Sequence, residues 1–106
     1  GGKLSRKLLA IREQEGVEAA NRYWLGETIK ARTQENKPYP ALYIAERAAT
    51  AKDRNQTLTW LEKAIDEGDP RIQQIRYLAK FDFLRDDVRF RSLAEKLPYR
   101  EDYSRP

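Results

Sequence analysis

An all-α chain built of antiparallel helical hairpins is what this sequence predicts, on three observations. Apolar residues recur at intervals of three and four along most of its length. Alternating β-branched runs and Asn-Gly or Asp-Gly hairpin turns are absent. The breaks fall where helix-ending residues cluster, at Gly16, at Pro38 to Pro40 and at Gly68 to Pro70.

Taken in order, Leu4, Leu8 and Ile11 form a first stripe that Gly16 ends. A second helix starts near Val17 and carries Ala20, Trp24, Thr28 and Ala31 along one side. Gly26 inside it costs about 1 kcal/mol relative to Ala, which suggests a close approach by a neighbouring helix. The polar stretch Thr33 to Lys37 is the next break, and Lys37 and Tyr39, each preceding proline, are expected to be extended. Pro40 suits the first turn of a third helix, whose stripe is the small-residue set Ala41, Ile44, Ala45 and Ala48.

After the turn Lys52 to Asn55, Asp53 or Asn55 caps a fourth helix with Leu58, Leu61, Ala64 and Ile65 on its packed side. Gly68 supplies a left-handed end and Pro70 lies just beyond. A fifth helical segment over 71–79 offers Ile72, Ile75 and Leu78. Asp87 caps a last helix with Phe90, Leu93, Ala94 and Leu97, and a polar tail follows over 99–106.

The chain has 106 residues, enough for one domain. Charged residues make up 36%, above the roughly 25% of an average globular protein, as befits helices with one packed and one solvated side. The net charge of +4 is spread among interleaved acids and bases, and Lys3, Arg6 and Lys7 form the one tight basic cluster. A nucleic-acid surface needs a one-sided basic patch, so nucleic acid ranks third among the partner classes. There is no cysteine, histidine or methionine, which excludes disulfides, thiolate metal sites and imidazole chemistry. No apolar run approaches the roughly 20 residues of a membrane span, and no signal-peptide pattern opens the chain. Gly1 and Gly2, with no initiator Met, read as a cloning remnant ahead of an excised domain.

Two helices joined by a tight turn and ended by Gly-Asp-Pro invite a repeat reading near a period of about 34 residues. Ala41 to Pro70 resembles one tetratricopeptide unit. Ile44 and Ala45 take the places of the family's first-helix Leu and Gly, and Ala48 that of its aromatic. Thr57, Leu61 and Ala64 take those of the second helix, and Pro70 is the closing proline. The unit departs from the pattern at Lys52, where the turn glycine is usual, and by the extra residue Gly68. The run Phe81-Asp82-Phe83-Leu84-Arg85-Asp86-Asp87-Val88-Arg89-Phe90 looks like an ending that closes such arrays in bacterial signalling and transcription-regulatory proteins. Phe83 and Val88 replace its two usual prolines.

The resemblance implies a single helical-repeat domain over 1–106. Residues 3–35 form a degenerate hairpin, 38–70 the tetratricopeptide-like hairpin, 71–98 a capping segment and 99–106 the tail. It implies a non-catalytic, cytoplasmic module that binds a protein or peptide, or other domains of its parent chain, with no cofactor and no metal. First helices line the concave side in this family, which places Leu9, Arg12, Tyr39, Leu42 and Glu46 on the partner-binding face. A purely structural cap is the alternative, and monomer and homodimer both stay open.

The apolar stripes are core first, and Trp24 and Trp60 are read as buried anchors before exposed hot spots. The carboxylate pairs Asp86-Asp87, Asp66-Glu67 and Glu101-Asp102 are read as caps and solvated charges, since no calcium-loop, phosphate-loop or Ser/His/Asp pattern accompanies them. Asp82 with Arg85, and Asp86 with Arg89, are spaced to pair across a turn over a core closed by Phe81, Leu84 and Phe90.

Overall fold

The computed structural model describes residues 2–97 and is all-α, with no strand among them. The α-helices are α1 (Gly2–Glu15), α2 (Val17–Glu35), α3 (Ala41–Thr50), α4 (Arg54–Asp66) and α5 (Val88–Lys96). Two 3-10 helices, Pro70–Tyr77 and Ala79–Leu84, lie between α4 and α5. The tail expected over 99–106, and residue 98 at the end of the capping segment, lie outside the described residues.

Gly16 alone separates α1 from α2, with φ at +99° and ψ at 170°, a conformation that suits glycine and strains other residues. The two helices fold back on one another through Leu4, Leu8 and Ile11, yet no residue of α1 is fully buried. The second helix runs past the expected break at Thr33 as far as Glu35. Within it the Thr33 hydroxyl donates to the Ile29 carbonyl at 2.8 Å, and left-handed Asn36 ends the helix. Gly26 is exposed and no atom lies near its missing Cβ, so the expected close helix approach does not occur there.

Pro40 is the N-terminal flank of α3 rather than part of its first turn, and its carbonyl accepts from Ile44 N–H at 3.2 Å. The third helix is the hub. It packs on α2, α4 and the Ala79–Leu84 segment, and it buries Ala41, Leu42, Ile44, Ala45, Ala48 and Ala49. This is a wider stripe than the small residues alone suggested. Lys52 ends the turn after α3 in the left-handed region at φ +59°, where Asp53 N–H reaches back to Ala48 O at 2.9 Å. Gly68 does the same after α4 at φ +71°, with Asp69 N–H on Ala64 O at 3.2 Å. Asp53, not Asn55, caps α4 by accepting from Gln56 N–H at 3.0 Å.

The segment expected as a fifth helix over 71–79 is 3-10 rather than α. The reason lies in its spacing: Ile72, Ile75, Leu78, Phe81 and Leu84 recur every third residue, the period at which 3-10 side chains align. All are buried except Leu78, which is partly so and packs on the same core. Runs of this length need outside support, because 3-10 hydrogen-bond geometry is poor. Arg85 supplies it by donating to the carbonyls of Arg76 at 2.6 Å and Leu78 at 3.3 Å, while Asp82 holds its Nε at 2.7 Å. The Asp82–Arg85 pairing is therefore as the spacing suggested.

Asp86 and Arg89 do not pair. Arg89 reaches Glu62 of α4 at 3.2 Å, and the Asp86 carbonyl accepts from Arg91. Phe81 and Phe90 stack at 6.4 Å between ring centres and close the core with Leu84. The described structure measures 46 × 28 × 28 Å with a radius of gyration of 15.3 Å, against roughly 13 Å for a compact domain of this size. Successive packing of α1 on α2, α2 on α3 and α3 on α4 draws the chain out along one axis.

Candidate interaction surface

The third helix leaves one strip only partly covered: Tyr43, Glu46 and Arg47, half-buried, and exposed Thr50, spaced three and four apart. Lys80 joins them across a shallow hollow of about 160 Å³, with Nζ 3.8 Å from the Glu46 carboxylate. Beside this strip a second hollow of about 280 Å³ opens between α1 and α2. Leu8, Leu9 and Arg12 line it from α1, and Val17, Ala20, Asn21 and Trp24 from α2. Its apolar lining is exposed in part, Leu9 by 56% and Val17 by 52%, while Ala20 is buried.

Arg47 lines the smaller hollow and touches Trp24, which lines the larger one. Its guanidinium sits 3.5 Å from the centre of the half-buried Trp24 ring, and its Nε–H donates to the Tyr43 hydroxyl at 3.3 Å. Tyr43 in turn stacks on Tyr39 at 5.6 Å between ring centres. A ladder of Trp24, Arg47, Tyr43 and Tyr39 thus crosses from α2 over α3 to the loop ahead of it. Among the described residues no carboxylate pairs with Arg12 or Arg47.

The expected binding residues divide accordingly. Leu9 and Arg12 line the larger hollow, Glu46 the smaller one, and Tyr39 stands at the end of the ladder, 40% exposed. Leu42 does not belong to the face. It is 3% exposed, because the core stripe of α3 extends to its side of the helix, so no partner reaches it. Trp24, Tyr43 and Arg47 were not named for this face, and the polar interruption Tyr43, Glu46, Arg47, Thr50 in an otherwise apolar helix is the signal that marks it. Trp60 is the buried anchor expected, with its indole N–H donating to Gln56 Oε1 at 3.1 Å.

The remaining ion pairs lie away from these hollows. Arg32 pairs with Glu67 and also donates to the Tyr39 carbonyl at 3.1 Å, tying the loop ahead of α3 to the end of α4. The Arg32 hydrogen bond to Glu67 holds the Glu67 carboxyl below its usual range against the opposing effect of burial. Arg54 does likewise for Asp87 at 2.8 Å, and Arg71 for Asp69 at 2.8 Å. Among the described residues no group of acidic side chains is arranged to hold a metal ion, and no helix is long and apolar enough to cross a membrane. Comparison with family models, with curated proteins and with solved structures gives no match to this chain.

Proposed function

We propose that this chain is the closing part of a tetratricopeptide-type helical array and serves as a non-catalytic protein–protein interaction module. The face formed by Leu9, Arg12, Trp24, Arg47, Tyr43 and Tyr39 carries that function. What supports the reading most is this face itself, an open apolar hollow between α1 and α2 beside a half-buried aromatic–guanidinium ladder. Tryptophan, tyrosine and arginine are the residues that most often anchor protein interfaces. The sequential stacking of α1 to α4 supports the array, since repeat units contact their neighbours and share one continuous core. The parent is then a larger bacterial signalling or transcription-regulatory protein, and the segment from Pro70 to Leu97 is the cap of its array.

Affinity capture with the intact parent protein, comparing wild type with Leu9→Glu and Tyr39→Ala, tests this. Both side chains are exposed, so folding is expected to survive each change. A partner held by wild type and lost by both folded variants supports the interaction face. A partner that stays bound to both overturns it and leaves the chain as a structural cap.

A further inference from the structure

The first helix is held only lightly. Leu4, Leu8 and Ile11 are its half-buried residues, every other residue of it is exposed, and its main contact is α2. Open hollows flank that contact on both sides. Leu9 and Arg12 line one, and Lys3, Lys7, Tyr23 and Glu27 line the other, of about 470 Å³. Elements with so few buried apolar contacts are the ones that open locally. We propose that α1 is a strap hinged at Gly16, which swings from its place on α2 into line with it and so forms one helix over 2–35. Opening carries Leu8, Leu9 and Arg12 away from Val17, Ala20 and Trp24, so the hollow between α1 and α2 exists only while the strap is docked. Filling that hollow and closing the strap are thereby coupled.

The backbone at the hinge carries the inference. Gly16 N–H already donates to Arg12 O at 3.0 Å, and Gly16 O already accepts from Ala20 N–H at 3.2 Å, both at the four-residue spacing of an α-helix. Gly16 alone lies outside the two helices, at φ +99° and ψ 170°. The first N–H groups of α2, on Val17, Glu18 and Ala19, have no helical acceptor there, and no side chain caps them. Return of Gly16 to the right-handed region pairs them with the carbonyls of Glu13, Gln14 and Glu15 at the end of α1. Three backbone hydrogen bonds thus offset the release of three half-buried side chains, and one residue has to turn. On a single helix Ile11 and Ala20 lie about two and a half turns apart and face opposite ways. Opening therefore bares two separate patches and leaves no continuous seam for a second copy.

The test is a distance measurement between spin labels at Arg6→Cys and Lys30→Cys in the free full chain, both positions exposed and the sequence otherwise without cysteine. Docked helices hold the labels within about 25 Å, and one straight helix sets them about 36 Å apart along its axis. A minor population near the longer distance is expected in the wild-type background. Gly16→Ala acts through the backbone alone, since no atom lies within 4 Å of the added Cβ. It is expected to raise the ratio of long to short distances by about tenfold. Leu8→Ser, which leaves the hinge intact, is expected to raise that ratio too. An unchanged Trp60 indole N–H signal shows that the core stays folded in both variants. A short distance alone in all three chains, or a broad spread with no longer peak, overturns the proposal. So does a longer peak that vanishes on dilution with unlabelled chain, because it then arises between copies.

Discussion

The Arg47 guanidinium carbon sits over the Trp24 ring, 3.5 Å from its centre, and joins α3 to α2 on the half-covered strip of α3. A partly exposed cation–π contact contributes about 0.5–1 kcal/mol. Arg47→Ala and Trp24→Leu, with the double variant, are expected to show a coupling of that size in urea unfolding. Additive effects would mean that the contact contributes nothing to stability.

Two backbone positions are expected to improve on substitution. Gly26 sits mid-helix with open space at its missing Cβ, so Gly26→Ala is expected to raise stability by roughly 0.5–1 kcal/mol. Lys52 holds the left-handed turn after α3 at φ +59°, and Lys52→Gly relieves strain of about 1 kcal/mol. Its contact with Phe83, 5.0 Å from Nζ to the ring centre, offsets part of that gain. Gly68→Ala, at φ +71°, is expected to change stability in the opposite direction. Thermal unfolding of the three variants checks the signs.

Val88 opens α5 and is 73% exposed, while Asp87 before it is extended at φ −79° and ψ 128°. A proline at the first helical position needs both conditions and gives up no intrahelical bond. Val88→Pro is therefore expected to stabilise by roughly 0.4–1 kcal/mol, chiefly by restricting the unfolded chain. A loss of stability would show that the α5 start is not formed as described.

Arg85 supports the long 3-10 stretch by bonding the carbonyls of Arg76 and Leu78 at once. Arg85→Ala is expected to cost about 1–3 kcal/mol, because two backbone acceptors and Asp82 lose their donor. Arg85→Lys recovers only part, since a single ammonium cannot span the set. Full recovery by lysine in chemical denaturation would contradict the clamp.

Glu67, Asp69 and Asp87 are each held below their usual carboxylate range by hydrogen bonds from Arg32, Arg71 and Arg54 respectively. A depressed folded pKa means that the unfolded chain takes up the proton first as pH falls. Their contribution is then complete above the unfolded value near about 4 and is lost as pH drops through the lower folded values. The urea midpoint is expected to be flat from about pH 7 to 5 and to fall below about pH 4. Because the pairs lie at the surface, added salt should shrink the effect. A midpoint that rises on acidification would contradict these pairings.

What was legible in the sequence is what short-range chemistry decides. Gly16, Gly68, Asp53 and Asp87 act on neighbours within a turn, so the helix ends they set could be read from their order. The 3-10 stretch was in the sequence as the spacing Ile72, Ile75, Leu78, but at this length it needs Arg85 reaching back from beyond Phe83. Leu42 could not be placed correctly, because how much of α3 is covered depends on α2, α4 and the Ala79–Leu84 segment packing around it. The Trp24–Arg47 pair joins two helices separated by the loop through Pro40, and no local pattern announces it.

Hydrogen exchange of the free chain and of the complex with its captured partner tests the interaction face most directly. Slowed exchange is expected on binding over residues 8–24 and 43–50, the α1–α2 hollow and the half-covered strip of α3. Protection confined to residues 70–97, with 8–24 and 43–50 unchanged, would contradict it.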